Sequence, residues 1–136
     1  MFLEHVNLVV SNLNTSLAFY EAAFPHWKIR SQGKGEWYGK NRSWLHFGDD
    51  YHYIALSDHG EGNNRSLSGH QVGLAHFAYV VNNIESLVTR MKSAGFEVDK
   101  GSKHPFRKNV YFIDPDGFEV EFVEYLSDLP HERNSD

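Results

Sequence analysis

Hydrophobic positions along the chain follow two alternating periods. His5 to Val10 (HVNLVV) has the composition of a β-strand, and Ser11 or Asn12 stands where a helix cap belongs. Leu13, Leu17, Tyr20, Ala23 and Phe24 then recur at helical spacing, which predicts an amphipathic helix over 14–24 ending before Pro25. Several short strands are expected over 26–42, with Gly33, Gly35 and Gly39 as punctuation. Two further strands, 43–47 and 52–57, are joined by Gly48-Asp49-Asp50, a hairpin-type connection. The stretch 58–70 is rich in Gly, Asn and Ser and reads as an exposed loop or linker.

The pattern then restarts. A strand is expected over 74–81 and a helix over 84–94, capped by Asn82 or Asn83 and stopped at Gly95. A short strand follows at 96–98. Strands at 108–113 and 118–125 flank the turn Asp114-Pro115-Asp116-Gly117, and the polar tail 127–136 is expected to be loose. Overlaid, His5 falls on His76, Val9-Val10 on Val80-Val81 and Asn12 on Asn83. In a later register Asp50 falls on Asp116 and Ala55 on Glu121. This is a duplicated βαβββ unit in an α+β domain over 1–126, with module one at about 2–57 and module two at about 73–125.

Composition narrows the function. The 136 residues are enough for one domain, and 40 % hydrophobic content is enough for a core. A formal charge of −5 without a Lys/Arg cluster argues against a nucleic-acid partner. Apolar runs fall far short of the ~20 residues of a membrane span. The first ten residues carry Glu4 and no basic segment, which is unlike a secretory signal and leads to the expectation of a cytoplasmic protein. With no cysteine and nine histidines, any metal site must use nitrogen and oxygen ligands.

The repeat supplies candidates for that site. Its four symmetry-related positions are His5, Ala55, His76 and Glu121, of which three can bind a metal. Two histidines and one carboxylate, with coordination positions left open, form the facial set associated with non-haem Fe(II) oxygen chemistry. Such a set carries one negative charge. The divalent ion stays a Lewis acid able to take two adjacent oxygens of a small substrate and to lower the pKa of a hydroxyl among them. Fe2+ is the expected ion for ring cleavage, and Mn2+, Zn2+ or Ni2+ would support isomerisation or nucleophilic opening.

His5–Tyr20 (HVNLVVSNLNTSLAFY) and Tyr111–Glu121 (YFIDPDGFEVE) resemble the vicinal oxygen chelate superfamily of glyoxalases, extradiol dioxygenases, fosfomycin-resistance enzymes and bleomycin-binding proteins. The resemblance implies two tandem βαβββ modules in a cupped, open mixed-sheet barrel around a metal site. It also implies a homodimer, with modules side by side or exchanged between chains. Ala55 stands where glyoxalase I places a fourth ligand. Trp44–Ala55 is most like a single-domain type I extradiol dioxygenase and puts His52 at that group's active-site histidine, Tyr111 at a tyrosine near the substrate oxygen and His104 near a second histidine. Asn7 replaces the threonine usual in fosfomycin enzymes.

His52 and Tyr111 are therefore the first catalytic candidates. His46 is a second acid–base candidate, because strand parity sets His52 opposite Ala55 and His46 together with Trp44. Trp44 and Tyr53 would wall a planar ring, with His104 and Asn7 also at the substrate. The best-supported activity is Fe(II)-dependent ring cleavage of a catechol-like compound. The alternatives are a non-oxidative lyase, epimerase or thiol transferase on the same site, and a drug-sequestering protein without catalysis.

Overall fold

The computed structural model describes residues 1–136. It divides into two units, Met1–Asn63 and Asn64–Asp136. In the first, β1 (His5–Val9), α1 (Leu13–Ala23), β2 (Lys28–Trp37), β3 (Lys40–Gly48) and β4 (Tyr53–Ser57) form a sheet of order β1-β4-β3-β2 with one helix. In the second, β5 (Phe77–Val80), α2 (Ile84–Ser93), β6 (Lys100–His104), β7 (Arg107–Ile113) and β8 (Glu119–Tyr125) give the order β5-β8-β7-β6, followed by the short helix α3 (Pro130–Arg133). Both sheets are mixed: β1–β4 and β5–β8 run parallel and the other pairs antiparallel.

The duplication holds at the level of single residues. Asn7 pairs with Ala55 across β1 and β4, and Ala78 with Glu121 across β5 and β8. His46 lies across from Ala55 as Tyr111 lies across from Glu121. Both helices start at the expected caps. Asn12 Oδ1 accepts the Thr15 N–H at 2.9 Å, and Asn83 Oδ1 accepts that of Ser86 at 2.9 Å. Each helix then buries one face on its own sheet. Phe19 and Tyr20 pack with Leu45, Phe47, Ile54 and Leu56, and Leu87 and Met91 with Phe112, Val120 and Phe122, all nearly inaccessible to water. Alternation along the strands turns every other side chain to the opposite, open face.

The boundaries differ from the sequence expectation in four places. Residues 28–37 form one long strand, because Gly33 and Gly35 sit within it and the hairpin is made instead at Tyr38-Gly39, both at positive φ (45° and 85°). The strand expected at 96–98 is absent: Gly95 is at φ 91° and the Phe96 N–H bonds the Met91 carbonyl at 2.9 Å, so this stretch closes α2 and pairing starts at Lys100. β5 is shorter than expected, and His76 lies just before it. The tail is tied down by the Arg107 bond to the Ser135 carbonyl (2.6 Å), the Ser127–Glu132 hydrogen bond and the Arg133 guanidinium over the Tyr125 ring (3.6 Å).

Candidate metal and substrate site

In the second unit, the open face of β8 carries Glu119 and Glu121, two residues apart on the same side. His76 Nε2 lies 3.2 Å from Glu121 Oε2, and its Nδ1 lies 3.7 Å from Glu119 Oε1. The His76 side chain is 40 % exposed while that of Glu121 is 13 % exposed, so the pair opens outward from a largely buried carboxylate. The other carboxylate oxygen, Glu121 Oε1, accepts from Asn109 Nδ2 at 3.0 Å, and the same amide reaches the Tyr111 hydroxyl at 3.3 Å. Tyr111 faces Glu121 across the β7–β8 ladder and meets the His76 ring edge-on at 5.6 Å. Burial, and then the Glu121 carboxylate beside it, push the Tyr111 phenol above its usual pKa. It therefore remains a hydrogen-bond donor at neutral pH. Lys100 neutralises Glu119 at 2.7 Å, and its own pKa is raised chiefly by that hydrogen bond.

In the first unit, the equivalent face is aromatic. His5 stacks on Tyr53 (4.4 Å, 15°), Tyr53 lies 4.6 Å from His46, and His46 lies 5.0 Å from Trp44. These rings share one face because His5 pairs with Tyr53, His46 with Ala55 and Trp44 with Ser57. His5 Nδ1 is held by Glu4 Oε2 at 3.1 Å, which directs Nε2 away from that carboxylate. Asn7 follows His5 on the same face, opposite Ala55. Burial, and then the charges of His5, Arg30 and Arg42, hold the His46 imidazole below its usual pKa, so it is neutral at pH 7.

His52 lies elsewhere. Asp49 Oδ1 accepts the N–H groups of Tyr51 (2.8 Å) and His52 (2.7 Å), which places His52 in the turn before β4. Its half-exposed ring lies 3.7 Å from Asp49 and against Phe2. The Asp49 carboxylate is affected first by burial, which raises its pKa, but the His52 and Tyr51 N–H groups outweigh that and lower it overall. His104, at the end of β6, turns back on its own hairpin, where Nδ1 accepts the Phe106 N–H at 3.3 Å. Within neither unit do three histidine or carboxylate side chains close on one point as a metal cage. The His76–Glu121 pair does present an imidazole nitrogen and a carboxylate oxygen to a common position, a donor set suited to a divalent ion.

The family model of the glyoxalase/bleomycin resistance protein/dioxygenase superfamily matches residues 2–122. The chain belongs to this superfamily. Its fold, the vicinal oxygen chelate fold, recurs in solved structures of low sequence identity. A glyoxalase/bleomycin resistance protein/dioxygenase domain from Frankia sp. EAN1pec is 23 % identical with a TM-score of 0.76, over 99 % of this chain and 98 % of that one. The fosfomycin resistance protein FosX from Listeria monocytogenes, also solved with Mn(II) and a dihydroxypropylphosphonic acid, is 18 % identical with a TM-score of 0.67, over 98 % of both chains. Lactoylglutathione lyase from Agrobacterium tumefaciens is 21 % identical with a TM-score of 0.61, over 90 % of this chain and 92 % of that one.

Against this superfamily background, five residues beyond the sequence candidates line the two faces: Arg30, Arg42, Lys100, Asn109 and Glu119. The signal for three of them was strand alternation, which Arg42-Trp44-His46, Asn109-Tyr111 and Glu119-Glu121 each follow. Arg30 had no such signal. The β2–β3 register shifts between Ile29 and Ser31, and Arg30 sits at that irregularity with its guanidinium 4.6 Å from the Tyr53 ring centre.

Proposed function

We propose that the protein is a divalent-metal-dependent enzyme that chelates two adjacent oxygens of a small planar substrate through His5, His76 and Glu121. The observation that carries this reading is the convergence of His76 Nε2 and Glu121 Oε2, with the second carboxylate oxygen held by Asn109. The third ligand, His5, has its Nδ1 held by Glu4, which favours the tautomer with Nε2 as donor. The metal, when bound, supplies Lewis acidity and open positions for substrate. Fe2+ is the ion we assign for cleavage of a catechol-like ring. The Mn(II)-bound fosfomycin resistance protein and the lactoylglutathione lyase support a non-oxidative reaction on the same ligand set as the second reading.

The chain's own residues then have distinct roles. Neutral His46 takes a proton from a substrate hydroxyl and can return it later. Tyr111 keeps its proton and donates a hydrogen bond to a substrate oxygen beside Glu121. Asn109 fixes the Glu121 carboxylate. Trp44 and Tyr53 hold a planar ring and exclude water from one side of it. The aromatic row of the first unit is the feature that favours a ring-shaped substrate over an aliphatic one.

Metal titration by calorimetry tests the ligand set. One divalent ion per chain is expected, with His5→Ala, His76→Ala and Glu121→Gln each weakening it at least tenfold while circular dichroism is unchanged. Unaltered affinity in all three variants would overturn the assignment. Oxygen uptake by the Fe2+-loaded protein with catechols then separates ring cleavage from the non-oxidative reading.

A further inference from the structure

The strand β3 places three chemically different side chains at every second position of the open face: Arg42, Trp44 and His46. Trp44 sits against Gly33 of β2, where an added Cβ would come within 2.9 Å of the indole, so the glycine leaves room for the ring. Arg42 stands next to it on the side away from His46. Its Nη1 donates to Ser57 Oγ at 2.9 Å and its guanidinium lies 5.0 Å from the Trp37 ring centre. Its Nε is buried and has no acceptor. No carboxylate pairs with Arg42 or with Arg30, although the chain has 18 acidic residues and a net charge of −5. Arginine is the side chain best shaped to grip a carboxylate with two parallel bonds, and Arg42 has no carboxylate of the chain to hold.

We infer that the ligand of this face is a planar aromatic acid, its ring lying on Trp44 and its carboxylate held by Arg42. The spacing agrees. Side chains two apart on a strand are separated by roughly 6.6–6.8 Å, about the distance from the centre of a one- or two-ring system to an attached carboxylate and its cation. The opposite edge of the ring then points toward His46 and Tyr53. This inference rests on the proposed function, and it adds the substrate class: an aryl carboxylate rather than an uncharged catechol or an aliphatic acid. Arg30, over Tyr53, contributes a second positive charge to the same face.

The test uses binding, so it is separable from the metal and from turnover. Full-length protein treated with chelator is titrated with 2-naphthoate, its neutral isostere 2-naphthamide and cyclohexanecarboxylate, following tryptophan fluorescence and calorimetric heat. Binding of 2-naphthoate at least tenfold tighter than either control is expected. Arg42→Gln should abolish the preference for acid over amide, Arg42→Lys should retain part of it, and Gly33→Ala, which displaces the indole, should weaken both naphthyl ligands alike. Equal affinity for acid and amide in the wild type, or an unchanged preference in Arg42→Gln with intact circular dichroism, would overturn the inference. Loss of metal binding in Glu121→Gln alongside unaltered naphthoate binding would support both assignments. Naphthoate preference in a protein that takes up no metal would sink the metal reading and leave this one standing.

Discussion

Asn109 is the residue on which the geometry of the Glu121 carboxylate depends. Its amide bonds Glu121 Oε1 and leaves Oε2 directed at His76. Outer partners of ligating carboxylates are typically worth ten- to a hundredfold in metal affinity. Asn109→Ala is expected to lose about that much by calorimetric titration, without change of fold. His46 supplies a pH prediction. Its imidazole, measured by NMR, should titrate below the ordinary value of 6.5, and Arg42→Gln should move it upward by removing one positive charge. Because the folded value is depressed, the unfolded chain binds more protons as pH falls below 6.5. The contribution of His46 to stability is therefore flat at neutral pH and declines as pH falls from the unfolded value toward the folded one. The proposed ligands came from the repeat, which sets His5 in register with His76 and Glu121 in register with Ala55. The pairing of Glu119 with Lys100 was not legible, since nothing in the sequence pairs a strand carboxylate with a lysine on a non-adjacent strand.

At the scale of elements, the two helices are started by the same chemistry. Asn12 Oδ1 takes both the N–H and the hydroxyl of Thr15, at 2.9 and 3.0 Å. Asn83 Oδ1 takes the Ser86 N–H, while Glu124 of β8 accepts the Ile84 N–H at 3.0 Å. Thermal unfolding should show Asn12→Ala and Asn83→Ala each costing about 1 kcal/mol, the usual value of a lost cap. The helix and most strands were legible because caps and hydrophobic period act within a few residues. The long β2 was not, because its two glycines suggested breaks. Within the sheet, Gly33 instead makes room for Trp44. The two turns are related, but Asp114 Oδ1 binds the N–H groups of Asp116 and Phe118 while Asp49 Oδ1 binds those of Tyr51 and His52. The first turn is one residue tighter, yet both return strands start at matching positions, Tyr53 and Glu119, and His52, like Phe118, is the last turn residue before its strand.

For the whole molecule, β1 and β5 each lie at an edge of their sheet, with backbone groups open on one side. We propose that the chain is a homodimer, and sedimentation should give twice the chain mass at micromolar concentration. A monomer at every concentration would remove that proposal. No helix is long and apolar enough to cross a membrane. The sequence by itself determined the duplicated βαβββ plan, the caps, the core faces and the His5, His76 and Glu121 candidates, since each depends on local period or on a register between two similar segments. Tertiary structure alone decided which of the competing histidines joins the ring row and which stays in a turn. It also decided that Asn109, Glu119 and Lys100 gather around the His76–Glu121 pair, and that Arg42 stands beside Trp44 with no acidic partner. Those choices depend on strand pairing between residues distant in the chain, which is not written in the hydrophobic pattern.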